Sequence, residues 1–215
     1  MTLSTLQCGM GWFPQQAGGL NRVYFNLLHA LPEAGVDVHG VVAGEPLPDE
    51  EPSHPLDLFA PSSASLPARW RAARRATKQL TETHSFSLVA SHFALYTFPS
   101  LDVLSPYPMV VHFHGPWAHE GFVERPNRVS YGLKRALEKA VYRKADRFIV
   151  LSQAFHDVLS QDYGVPEDRI RIVPGGADIE RFDLTASREE ARRRLSWPTD
   201  RPILLAVRRL ARRMG

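Results

Sequence analysis

Three stretches of the chain group side chains that could do chemistry. The densest is His112-Phe-His114-Gly-Pro-Trp117-Ala-His119-Glu120, at the end of the apolar run that starts at Met109. Alternate residues of a strand share a face, so His112 and His114 project together. Such a pair could ligate a metal, with His119 or Glu120 completing the set. It could also form a polar wall against a bound sugar, with Trp117 as an aromatic platform, or a hydrogen-bonded pair in the core. No matching ligand set follows later in the chain, which weakens the metal reading.

The second stretch is Gly9-Met-Gly-Trp-Phe-Pro-Gln-Gln-Ala-Gly-Gly19, between a first strand and a first helix. Backbone N–H groups and a helix N-terminus there can face an anion. The spacing is neither that of the dinucleotide fingerprint nor that of a phosphate-binding P-loop. Its place at a strand's carboxyl end favours contact with a ligand over an empty turn. The third stretch is cationic: Arg208, Arg209, Arg212 and Arg213 follow the apolar run Ile203–Val207. Between these, Val173-Pro-Gly-Gly-Ala-Asp178 signals a turn, with Gly176 predicted at positive φ and Asp178 as a cap.

Alternating strands and helices must position these groups. We predict strands at Leu3–Cys8, Val36–Ala43, Ser87–Ser91, Met109–His114, Arg147–Leu151, Arg169–Val173 and Ile203–Val207. Helices are predicted at Leu20–Glu33, Ala68–Thr83, Val129–Lys144 and Ser152–Tyr163, the last with Ser152 as its cap. Residues 44–67, rich in Pro, Ser and acidic residues, read as one long exposed loop. Strands separated by helices imply right-handed crossovers and a parallel sheet.

Composition sets outer bounds. The 215 residues carry 26 basic and 23 acidic side chains, a formal charge of +3, which excludes a polycation built for nucleic acid. A single cysteine, Cys8, excludes an internal disulfide and fits a reducing compartment. No leader-like or membrane-spanning run stands at the start, so a cytoplasmic protein is expected. The helix at 68–83 sets Arg69, Arg71, Arg74, Arg75 and Lys78 around Trp70. Its commoner explanation is a solvated face, and the other is peripheral contact with the inner face of an anionic membrane.

The ordered series of segments resembles the family-4 retaining glycosyltransferases. It comprises the glycine loop, Val111-His-Phe-His-Gly115, Ala145-Asp-Arg-Phe-Ile-Val-Leu-Ser152, Tyr163-Gly-Val-Pro-Glu-Asp-Arg-Ile-Arg-Ile-Val-Pro174, Gly176-Ala-Asp178-Ile-Glu-Arg-Phe182 and Val207-Arg-Arg-Leu210. The resemblance covers nearly the whole chain and is strongest from Leu137 to Phe182. It implies a GT-B architecture, two facing Rossmann-like domains with the active site between them. The chain would supply the first, a parallel sheet with helices on both faces. The implied division is an acceptor-binding domain over 1–184, a linker over 185–200, and the first strand and loop of a second, nucleotide-sugar-binding domain over 201–215.

The resemblance also implies roles. The chain would move a sugar from a nucleotide-diphosphate sugar, a UDP-sugar in particular, to a carbohydrate or lipid-linked acceptor in glycan or polysaccharide assembly. His114 falls on the family's histidine at the donor sugar and Arg209 on the cation at the departing diphosphate. Gly18, Gly19, Arg208 and Arg213 would line the diphosphate and sugar, and Trp12, Trp117, His119 and Glu120 the acceptor. No metal and no cofactor are implied, the arginines replacing a cation. Two departures stand out: Gly175-Gly176-Ala177-Asp178 replaces the family's Asn-Gly-Val-Asp, and no two glutamates stand eight positions apart to form its donor-gripping pair. We therefore expect a fragment that is inactive alone. The alternatives are a metal-dependent hydrolase using His112, His114 and His119, and a non-catalytic sugar-binding module.

Overall fold

A computed structural model describes residues 3–46, 54–177, 179–182 and 185–207. Contacts divide the chain after Pro174 into a large unit, 1–174, and a small one, 175–215. The large unit contains β1 (Leu3–Gly11), α1 (Gly19–Glu33), β2 (Val36–Ala43), β3 (Leu56–Leu58), α2 (Leu66–Thr83), β4 (Leu88–Ser91), α3 (Ala94–Thr97), β5 (Met109–Phe113), α4 (Trp117–Glu124), α5 (Arg128–Tyr142), β6 (Arg147–Val150), α6 (Gln153–Tyr163) and β7 (Ile170–Ile172).

All seven strands join one parallel sheet in the order β3-β2-β1-β4-β5-β6-β7. The chain grows outward from β1 through β2 to β3, then returns to β4 on the other side of β1. That reversal opens a crevice between the carboxyl ends of β1 and β4, the place where doubly wound sheets bind ligands.

Side-chain alternation sorts the strands between two layers. Leu6, Cys8, Val41, Val89, Val111, Phe113, Phe148 and Val150 form the larger core with Leu80 of α2, Val141 of α5 and Leu159 of α6. Val38 and Val42 face the opposite side and pack with Tyr24 and Leu28 of α1 and with Trp12. Each large apolar side chain so buried contributes roughly 1.5–3 kcal/mol. Burial also pushes the Cys8 thiol up to about 12, which leaves it protonated and unreactive.

The helix limits follow from local chemistry. Asn127 accepts from Ser130 N (2.9 Å) to start α5, and Ser152 accepts from Phe155 N (3.4 Å) to start α6 as its sequence predicts. Helix α6 stops at Gly164, whose φ of 68° suits a residue without Cβ. Two elements depart from the prediction. Residues 44–67 are not wholly loop: β3 lies within them, paired Gly40↔Leu56 to Val42↔Leu58 with β2. Helix α4 is not among the helices predicted above.

In the small unit the described helices are α7 (Ile179–Phe182) and α8 (Arg188–Arg194). Ser187 caps α8, with Glu189 and Glu190 in its first turn and Arg192 to Arg194 in its last, the charge order a helix dipole favours. The strand predicted at Ile203–Val207 is not formed. Leu204 is 100 % exposed and the stretch has no regular structure, since no described strand of this unit offers it hydrogen-bonding neighbours. Gly176 does not take the predicted positive φ; among the described glycines that conformation belongs to Gly35, Gly115 and Gly164.

Candidate functional site

The loop after β1 is held in place by its own side chains. Buried Asn21 of α1 accepts from Gly11 N (3.1 Å) and donates to Gln16 O (2.9 Å). Gln15 grips the backbone of Glu45 at both its N–H (3.0 Å) and its carbonyl (2.8 Å), tying the loop to the end of β2. A Cβ at Gly11 would strike Gln16, and one at Gly9 would strike Tyr24. Gly18 and Gly19 differ. Gly18 is extended ahead of α1, with nothing closer than Asn21 to its would-be Cβ, and Gly19 has nothing within 4 Å. Intramolecular packing explains Gly9 and Gly11 but not Gly18 and Gly19. Trp12, expected at the acceptor, is 4 % exposed in the second core layer with Phe25 at 5.1 Å. Its apolar bulk drives it inward, leaving little surface for a ligand.

Three imidazoles stack at the carboxyl ends of β4 and β5. His112 and His114 share a face as alternation requires, and His92, directly after β4, stands beside both. Ring centroids are 4.3 Å apart for His92–His112 and 5.5 Å for His92–His114, with interplanar angles of 14° and 23°. His92 is fully enclosed, while His112 and His114 keep some exposure. His92 Nδ1 meets His114 Nε2 at 3.3 Å, and His92 Nε2 meets Gln7 Oε1 at 3.0 Å. Tyr24 closes the group from α1, its ring edge-on to His92 and its hydroxyl donating to Gln7 O (2.8 Å).

Burial opposes charge on all three rings. It is the largest cause of the drop of His112 and His114 to about 4, and it holds His92 well below the ordinary imidazole range, with His112 and His114 adding repulsion. At neutral pH the stack is uncharged. The metal alternative is not favoured by this geometry. The rings lie nearly plane on plane instead of converging their nitrogens on one point, and His119 is exposed on α4. Among the described residues no cluster of three or more His, Cys, Asp or Glu could hold a metal ion.

Helix α4 forms the next wall. Gly115 turns the chain at φ 136°, where a Cβ would meet Glu120 Oε1. Trp117 packs edge-on to Phe93 (5.2 Å), and Lys134 Nζ lies 4.9 Å from its ring centroid. Trp117 and Glu120 are half-buried and His119 is exposed. Below them Glu138 of α5, fully enclosed, accepts from Ala118 N (3.3 Å) and from the Tyr163 hydroxyl (2.7 Å). Burial raises its carboxyl, against the lowering effect of those bonds.

The basic helix α2 is only partly free. Arg69 donates to the Tyr96 hydroxyl, and Arg74 donates to Pro99 O (2.8 Å) and to both carboxylate oxygens of Asp102. Trp70 lies 5.7 Å from Phe98. Arg71, Arg75 and Lys78 remain on the outer face. Among the described residues no helix is long and apolar enough to cross a membrane. Arg208, Arg209 and Arg213, with Asp178, lie outside the described residues.

Residues 17–181 match the model of Glycosyltransferase Family 4. A D-inositol 3-phosphate glycosyltransferase from Acidothermus cellulolyticus is 32 % identical over 186 residues, covering 82 % of this chain and 38 % of that protein. Sucrose-phosphate synthase from Thermosynechococcus elongatus shares the fold with a TM-score of 0.69 at 17 % identity, covering 93 % of this chain and 54 % of that one. Anabaena HepE, solved with UDP and glucose, gives 0.62 at 16 %, covering 90 % and 50 %. The chain thus has the Rossmann-like fold of one half of these two structures, and it spans well under two thirds of each protein named.

Proposed function

The chain belongs to Glycosyltransferase Family 4, and from that membership we propose that it is the acceptor-side domain of a retaining glycosyltransferase that uses a nucleotide-diphosphate sugar. In the reaction, the anomeric carbon exchanges its bond to a phosphate oxygen for one to an acceptor hydroxyl oxygen. The diphosphate leaves as an anion, and the hydroxyl proton departs with it. Such a step needs groups that tolerate an oxocarbenium-like centre and others that neutralise the leaving phosphates.

One observation supports this reading most. His114 stands mostly buried but not sealed at the carboxyl end of a central strand, next to the crevice between β1 and β4, and burial keeps it neutral. A neutral imidazole can hydrogen-bond a sugar hydroxyl without adding positive charge beside a cationic reacting centre. Gly18, with Asn21 no closer than 3.7 Å, and Gly19, with nothing within 4 Å at the start of α1, suit close approach of a diphosphate or sugar. Arg208, Arg209 and Arg213 are assigned to the leaving group, where forked, charge-assisted bonds are strongest. The half-buried Trp117 and Glu120, with His119, are assigned to the acceptor.

The UDP and glucose held by HepE support a UDP-sugar as donor, and the inositol phosphate in the name of the family relative supports a polyhydroxylated acceptor. We place the protein in the cytoplasm, in glycan or polysaccharide assembly. The exposed Arg71, Arg75 and Lys78 are the part of α2 open to an anionic membrane surface.

The test is transfer from a panel of nucleotide sugars by the complete enzyme to which this domain is proposed to belong and by its His114→Ala variant. We expect the variant to lose about 10²–10³-fold in kcat, the size of one lost preorganised polar contact. A variant that transfers at the parent rate would remove His114 from the reaction.

A further inference from the structure

The bonds behind His114 run in one direction only. Thr5 Oγ1 lies 3.2 Å from the backbone carbonyl of Asp37, which can only accept, so the hydroxyl hydrogen is committed there. Thr5 Oγ1 therefore accepts from Gln7 Nε2 at 2.9 Å. That fixes the Gln7 amide with its oxygen towards His92, and the oxygen accepts from His92 Nε2 at 3.0 Å. A neutral imidazole carries one N–H, so His92 Nδ1 is a bare acceptor. Its hydrogen-bond partner is His114 Nε2, at 3.3 Å, which must then be the donor.

From this chain we propose that His92 is a positioning residue which, held by Gln7 and Thr5, fixes His114 as its Nε2–H tautomer and leaves Nδ1 of His114 as a hydrogen-bond acceptor. Its catalytic consequence rests on the role assigned to His114 above; its structural content does not. The relay is built to last. Thr5, Gln7 and His92 are all buried, and the His92 backbone N–H is anchored on Cys8 O (2.9 Å). A fixed tautomer matters because an imidazole aimed at a hydroxyl can only accept from it through the bare nitrogen.

The experiment is ring-nitrogen NMR on the ¹⁵N-histidine-labelled 215-residue chain at neutral pH. We expect His114 with Nε2 protonated and Nδ1 bare, and His92 in the same form. In His92→Phe, His114 should move to a mixture of tautomers, and His92→Asn, which returns an acceptor oxygen near the lost Nδ1, should restore the single form. In the active protein, His92→Phe should lower kcat about tenfold, the worth of one net hydrogen bond, with KM less affected. A wild-type His114 protonated on Nδ1, or one unmoved by His92→Phe, overturns the proposal. The wild-type spectrum decides even where His92→Phe does not fold. Because the spectrum needs no substrate, it can fail while sugar transfer stands, and the reverse.

Discussion

Two buried polar nodes flank β5, and they are built to opposite ends. Glu138 joins α4, α5 and α6: one carboxylate oxygen takes Ala118 N, the other the Tyr163 hydroxyl. Every partner is another part of the fold, so the node is closed. The chain from Thr5 through Gln7 and His92 also satisfies its buried atoms, but it ends on His114, which keeps a nitrogen and some exposed surface. Both nodes hold titratable groups that burial pushes towards the neutral form. A shifted titration therefore does not by itself mark a working group. What distinguishes the two is whether the last bond in the network is already taken.

Breaking each node should separate stability from turnover. Glu138→Ala strips the partners of two buried donors and leaves a cavity, so we expect a loss of about 3 kcal/mol in chemical denaturation. Glu138→Gln, which keeps an acceptor, should recover most of it, and turnover per folded molecule should hold in both. His114→Ala should do the reverse, costing less stability than Glu138→Ala because the ring keeps some exposure, about 1–2 kcal/mol. If His114→Ala unfolds the chain and Glu138→Ala silences a folded one, the two roles have been exchanged.

Acid should act on the histidine node. Unfolded imidazoles take up protons near 6.5, whereas His112 and His114 in the fold resist until about 4. Between those values the unfolded chain binds more protons, so stability is complete above 6.5 and is lost as pH falls through the window. Melting temperatures followed by circular dichroism should decline across it, and less steeply in His112→Phe. A flat profile would mean the stack does not open to water on unfolding. The smallest effect belongs to neither node. Asp102→Asn breaks a surface pair with Arg74, and solvent screening should leave the melting temperature almost unmoved, with no difference left at high salt.

Much of this frame was legible in the residues. Apolar runs and helical spacing located the strands and helices of the large unit to within a few positions, with the exceptions of β3 and α4. Strand alternation alone put His112 beside His114. β3 was hidden because three residues among prolines and acidic groups carry no period. α4 was hidden because Trp117-Ala-His-Glu-Gly-Phe-Val-Glu124 has no apolar stripe; its second residue hangs on Glu138, a contact no local pattern announces. His92 was missed for a similar reason. A lone histidine after a four-residue strand says nothing until β4 is known to lie between β1 and β5. The rule that flagged His114, a polar residue at a strand's carboxyl end, would have flagged His92 once that order was known. Trp12 differs: the resemblance alone placed it at the acceptor, and the structure finds it buried in the second core layer.

The open ground around Gly19 offers a practical handle. The chain's one thiol, at Cys8, is sealed in the core and protonated, so maleimide reagents should pass it by. Gly19→Cys would then present a single labelling point at the start of α1, where a fluorophore would sit beside the loop and test, by its change in brightness, whether the proposed nucleotide sugar binds there.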